Sequence, residues 1–174
     1  MDSNMLIIAI AFAILVAGAL VYLFLKQRRE IKQVQQQAPN GGKEEVAARQ
    51  LQLQAYERLI LLVDRIALPN LIQRVAQPEL NAREMQGLLI HTIRQEFEHN
   101  ITQQIYVSAE AWDAVRNYKE QNLLIINQIA SFLPPEATGH DLSKHLLDLL
   151  VQNPKASLQN IVSDALSYEA KKVM

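Results

Sequence analysis

The 174-residue sequence predicts an all-α protein in two parts. One transmembrane helix stands at the amino end, followed by a flexible linker and a compact cytoplasmic domain of about five helices. Three observations carry this prediction. The 21 residues from Met5 to Leu25 contain no charged side chain. From Glu44 onward apolar residues recur at three and four positions, the period of an α-helix. Glycine numbers only five, two of them adjacent at Gly41 and Gly42, so few chain reversals use positive φ and short helix connections are favoured.

Composition narrows the function classes. Charged residues make up 20% and apolar ones 49%, which excludes both a disordered chain and one embedded in lipid throughout. Residues 45–174 carry 12 Lys and Arg against 15 Asp and Glu, so no phosphate-driven nucleic-acid binding is expected. Cysteine is absent, which removes disulfides, thiolate metal sites and cysteine nucleophiles and suits a reducing compartment.

The first element, residues 5–25, is about 31 Å long as a helix and matches a hydrocarbon core of about 30 Å. Residues 1–4 form a short external terminus. Asp2 precedes the apolar run, while Lys26, Arg28, Arg29 and Lys32 follow it. A cleaved signal would carry its cations in front and a shorter apolar core. The order here predicts a signal anchor in a bacterial inner membrane, with the amino terminus outside and the remainder cytoplasmic. The lipid bilayer is thus the expected partner of residues 5–25. Ala9, Ala13 and Ala17 recur every fourth residue, a spacing that lets two membrane helices approach closely. Residues 26–43 form the basic juxtamembrane segment and a polar linker ending in "PNGGK", which is read as a tether holding residues 44–174 near the bilayer.

Within residues 44–174 each helix has its own signals. The first carries Leu53, Tyr56, Ile60, Val63 and Ala67 at helical spacing, and "LILLV" (Leu59–Val63) implies cover on more than one side. Pro69 ends it. A short helical turn, "NLIQRVAQ", leads to Pro78. Asn81 caps a helix striped by Met85, Leu89, Ile93 and Phe97. "QQIYVS" (Gln103–Ser108) reads as either an extended piece or a connector. Ser108 is a good N-cap for a long helix that Pro134 and Pro135 stop. Thr138 caps the next, with Asp141 completing a capping box and Leu142, Leu146, Leu149 and Leu150 along it. Asn153 before Pro154 predicts the cap of a final helix, which bears Leu158, Ile161, Val162, Ala165 and Leu166 and ends in Lys171 and Lys172.

Motifs for chemistry are sparse. There is no G-x-S-x-G, S-x-x-K, P-loop or G-x-G-x-x-G. Glu96 and His99 make one E-x-x-H, whereas a di-iron bundle needs two such pairs and two more glutamates. A solvated helix end in which Glu96 and Glu98 balance Arg94 explains the same letters. His140 and His145 are five apart, a poor spacing for one helical face. No catalytic, cofactor or metal residue is assigned and no cofactor is expected. Tyr56, Phe97, Tyr106, Trp112 and Tyr118 form an aromatic set, of which Trp112 and Tyr118 fit either a core or an interface.

Three stretches carry a resemblance: "LQAYERLILLVDRIALPNLI", "QQIYVSAEAWDAVRNYKEQNLLIINQIA" and "SDALSYEAKK". With the amino-terminal anchor they resemble an uncharacterised family of small single-pass membrane proteins from Bacteroidota, over nearly the whole chain. The resemblance implies the anchor-plus-helical-domain layout and no particular activity. The functional expectation is a non-enzymatic interaction or scaffolding module at the inner face of the membrane, binding a protein partner or a second copy of itself. The competing expectation is a membrane-bound enzyme or metal protein whose site gathers distant residues such as Glu96, His99 and His145.

Overall fold

The structure is a computed structural model that describes residues 41–153 and 158–174. The expected membrane helix at 5–25, its flanking cations Lys26, Arg28, Arg29 and Lys32, and the Ala9, Ala13 and Ala17 face all lie outside the described residues. Among the described residues no helix is long and apolar enough to cross a membrane. Six α-helices appear there: α1 (Gly41–Arg65), α2 (Leu68–Val75), α3 (Ala82–His99), α4 (Ala109–Phe132), α5 (Gly139–Gln152) and α6 (Gln159–Val173). A 3-10 helix, Ile101–Ile105, joins α3 to α4. No strand occurs among them. Ala48–Met174 forms one compact unit, and Met1–Ala47 is a separate one whose described part is the first turns of α1.

α1 begins at Gly41, so the "GGK" read as tether is helical. Its buried face is Ala55, Tyr56, Leu59, Leu62 and Val63, a stripe at the helical period that buried Ile66 continues just past the helix end. Leu61 is 61% exposed, so "LILLV" is covered on one broad face and not all round. Pro69 lacks the N–H that would continue α1, yet it fits the first turn of α2. The break leaves the Ile66 carbonyl without a helical donor. Buried Asn122 of α4 supplies one, donating through Nδ2 at 2.9 Å.

α4 is the central helix and packs on α3, α5 and α6, while α3 also meets α2 and α5. Its buried positions include Val115, Tyr118, Asn122, Ile125 and Ile126. Tyr118 is therefore a core residue. Trp112 is half-buried, with its ring 5.0 Å from that of Phe97. The stretch Gln103–Ser108 is a connector: the 3-10 helix, a turn, and then Ser108, whose Oγ accepts the Ala111 N–H at 3.0 Å as the N-cap of α4.

Two corrections concern helix ends. Asn153 is the C-cap of α5, its N–H bonding the Leu149 carbonyl, and does not start the last helix. α6 starts at Gln159, after Leu158 and without a side-chain cap. An Asn-Pro pair serves either end of a helix, and here the preceding carbonyls took the Asn. On α6 only Val162 and Leu166 of the expected stripe are buried, whereas Ile161 is 65% exposed.

The helix starts are the best-defined joints. Asn81 Oδ1 accepts the Glu84 N–H at 3.0 Å, and the Glu84 carboxylate accepts the Asn81 N–H at 3.0 Å. Thr138 and Asp141 form the same reciprocal box on α5. An isolated antiparallel bridge joins the two capping residues. The Ala82 N–H bonds the Ala137 carbonyl at 2.9 Å and the Gly139 N–H bonds that of Leu80 at 2.7 Å. α3 and α5 therefore leave from one clasp.

Candidate functional site

The clasp organises the surface around it. Pro78-Glu79-Leu80-Asn81-Ala82-Arg83-Glu84-Met85 aligns with Pro135-Glu136-Ala137-Thr138-Gly139-His140-Asp141-Leu142. Proline, acid, capping residue, small residue, capping acid and buried apolar residue coincide in order. The alignment extends to Leu89 and Leu146, both fully buried, and back to Leu68 and Ile125, both core residues. α2–α3 and α4–α5 are thus two helix–loop–helix units of one pattern, paired through their loops.

Each unit's loop faces the other unit's second helix across a cleft. The first cleft, about 550 Å³, lies between the α2–α3 turn (Ala76, Gln77, Pro78) and α5 (Gly139, His140, Ser143, Lys144, Leu147, Asp148). The second, about 570 Å³, lies between the α4–α5 turn (Leu133, Pro134, Pro135) and α3 (Ala82, Arg83, Gln86). Matching positions of the two units line both, but their chemistry has diverged. In the second cleft the Gln86 amide reaches across and donates to Asn127 Oδ1 at 2.8 Å. In the first the counterpart of Gln86 is Ser143, which turns inward and donates to the Gly139 carbonyl at 2.8 Å. The counterpart of Asn127 is Asn70, which is bonded to Asp64. Among the described residues no hydrogen-bonded side-chain pair like Gln86–Asn127 spans the first cleft, which is backed by buried Ile72 and Met85 and by half-buried Leu147.

Gly139 is required where it stands. A Cβ there would come 2.9 Å from the Leu80 carbonyl oxygen and 3.0 Å from Met85 Cβ. On the lip of the open cleft His140, Lys144 and Asp148 sit one turn apart along α5, all exposed. Apolar floor and polar lip are what a docking site for an apolar group needs.

The E-x-x-H pair has a different role from either expected reading. Glu96 is clamped by the Arg65 guanidinium through two bonds, at 2.9 and 2.6 Å, and by Arg74 at 3.2 Å. It does not balance Arg94 at a solvated end; it ties α3 to α1 and α2. The Arg65 hydrogen bonds hold its carboxyl below the usual range. His99 shares a small cleft with Arg65, Gln95 and Glu96, and His145 is not part of it. His145 instead bonds the Asp141 carbonyl of its own helix at 2.7 Å. Glu96, His99 and His145 are not brought together. Among the described residues no group of three or more His, Asp or Glu is placed to hold a metal ion.

A further polar cluster joins three elements. Glu169 Oε2 of α6 accepts from the Tyr56 hydroxyl at 2.9 Å and from Ser108 Oγ at 2.5 Å. Ser108 Oγ is already the N-cap of α4, so it donates once and accepts once, and no histidine is there to take its proton. The Ser108 bond lowers the Glu169 carboxyl, while burial raises the Tyr56 phenol. This cluster is a latch for α6, not a nucleophile.

Sequence reading missed the paired units and hence both clefts. The signal was present as P-E-x-[NT]-[AG]-x-[ED] in two places, each read on its own as a helix start. A sequence model described as Family of unknown function (DUF7935) matches residues 2–173. No curated protein and no solved structure matches the chain.

Proposed function

Because the chain belongs to the Family of unknown function (DUF7935), which brings no activity with it, we propose a function from geometry: a membrane-tethered docking module that works without catalysis. The carrying observation is the contrast between the two matched clefts. One is bridged by Gln86 and Asn127, and the other has a short Ser143 and keeps a mostly apolar lining without that bridge. A cleft of this size and lining suits an apolar anchor residue.

The apolar run at 5–25 and the cations after it support an anchor with the helical domain on the cytoplasmic face of a bacterial inner membrane. Tethering raises the local concentration of a weak docking surface without adding contacts. The sequence resemblance to single-pass proteins of Bacteroidota supports the same layout.

Affinity capture of the full chain from solubilised membranes tests this reading. A stoichiometric protein partner or a homo-oligomer is the expected result, lost when Ser143→Gln closes the cleft. A monodisperse chain with no partner, or capture indifferent to Ser143→Gln, contradicts it. The reading as an enzyme or metal protein loses its best residues, since Glu96 is occupied by two arginines and stands apart from His145.

A further inference from the structure

Helix α6 joins the body by one apolar stripe and one ionic group. Leu158 just before it, and Val162, Leu166, Ala170 and Val173 along it, recur at four and three and lie buried or half-buried against the core. Its outer side is exposed at Ile161, Asp164, Ala165, Tyr168 and Lys171. It begins without a side-chain cap and without an acid in its first turn, so the devices that fasten the starts of α3, α4 and α5 are missing there. At that start Gln159 Nε2 donates to Asp64 Oδ1 of α1 at 3.3 Å, on the exposed surface.

The ionic group is Glu169, the end point of a closed set of bonds. Its Oε2 accepts from the Tyr56 hydroxyl of α1 and from Ser108 Oγ at the head of α4. The Tyr56 hydroxyl accepts the Ser108 N–H at 3.3 Å, and Ser108 Oγ accepts the Ala111 N–H at 3.0 Å. Both hydroxyl protons therefore end on one carboxylate oxygen, and a charged acceptor makes each bond stronger than a neutral one does. The positive end of the 24-residue α4 favours the same charge. The groups that face Glu169 are Tyr56 from α1, Ser108 from α4 and, within α6, Lys172. The Ser108 bond, helped by Tyr56 and Lys172, holds the Glu169 carboxyl below its ordinary value.

We propose that α6 is a clip that opens as a unit of its own, and that the Glu169 carboxylate is its catch. With Glu169 ionised the clip stays shut. Protonation leaves only a neutral acceptor for the two hydroxyls, and the clip opens more often. Opening bares the sides of α1 and α4 that α6 covers. The body keeps its other fastenings, because the α3–α5 clasp, the Arg65–Glu96 pair and the Asn122 bond to Ile66 all lie outside α6. The device is separate from the cleft between the α2–α3 turn and α5, and holds whether or not that cleft takes a partner.

Hydrogen exchange of the full chain, read by peptide from about pH 7 to about pH 4, tests the clip. α6 should be less protected than α3 and α4. A carboxyl whose value is lower in the shut state favours that state above its open-state value and ceases to as pH falls through the shut-state one. Protection of α6 should therefore fall relative to α3 and α4 as pH drops through the ordinary carboxyl value of 4.5. Glu169→Gln should cost α6 about tenfold in protection at neutral pH and flatten that pH dependence, leaving α3 and α5 within about twofold. Tyr56→Phe, which removes one of the two bonds, should give a smaller loss in the same helix. Asp164→Asn, at an exposed acid on α6, should change nothing. Equal protection of α3, α4 and α6 in the unaltered chain overturns the inference, as does a Glu169→Gln loss spread evenly over the body. A pH dependence removed by Asp164→Asn and kept by Glu169→Gln overturns it too. Should Glu169→Gln fail to fold, the pH series of the unaltered chain and Tyr56→Phe decide by the same criteria.

Discussion

Single residues decide how the helices are held. Ser108 caps α4 and donates to Glu169, so Ser108→Ala removes a cap and a charge-assisted bond together. It should lower unfolding stability by about 1–3 kcal/mol in urea titration. Tyr56→Phe leaves Ser108 in place and should cost less. Asn122 satisfies the Ile66 carbonyl from inside the core, so Asn122→Leu should cost about 1–3 kcal/mol despite its added apolar surface. Glu96 and Glu169 both titrate below their ordinary value of 4.5. A carboxyl whose folded value lies below its unfolded one contributes stability that is full above the unfolded value and lost as pH falls through the folded one. Acid titration should therefore show stability falling from about pH 5 downward, with a shallower fall in Glu169→Gln. None of these partners was legible in the sequence. Glu96 looked like half of a metal motif, and only the fold shows that Arg65 and Arg74 reach it from other helices. Ser108 was legible as a cap because capping is local, but its second bond crosses to α6.

Elements were more legible than their partners. The starts of α3, α4 and α5 are written in Asn81, Ser108 and Thr138, each followed by an acid that suits the helix dipole. The reciprocal bond from Glu84 on α3 was not read, though its spacing is that of Asp141. The start of α6 was misplaced because Asn153 suits a C-cap as well as an N-cap. What no local signal conveys is that the α3 and α5 starts clasp each other and generate two matched clefts. Gly139 is the residue on which that clasp depends. Gly139→Ala should lower stability by about 1–3 kcal/mol, since its Cβ would press on the Leu80 carbonyl and Met85. The matching substitution on the other unit, Ala82→Gly, should cost less than about 1 kcal/mol, because it only removes a methyl group and adds backbone freedom. Thermal unfolding of the two variants side by side checks the difference.

At the scale of the molecule, periodicity was enough for the fold class. The described residues of the compact unit Ala48–Met174 are helices and short connections without a strand, and α4 packs on α3, α5 and α6. The cleft was not readable because it depends on which helices face each other and on one short side chain where its twin is long. Under the proposed function, a membrane helix at residues 5–25 would anchor the chain and the cleft on α5 would receive an apolar anchor of a partner. The most direct measurement places a photo-activated crosslinking residue at position 147, on the cleft floor, in the full chain in native membranes. A single discrete protein adduct in the membrane fraction, suppressed by Ser143→Gln, is the result expected of a docking module. Absence of any protein adduct, or a diffuse set unchanged by Ser143→Gln, would contradict it.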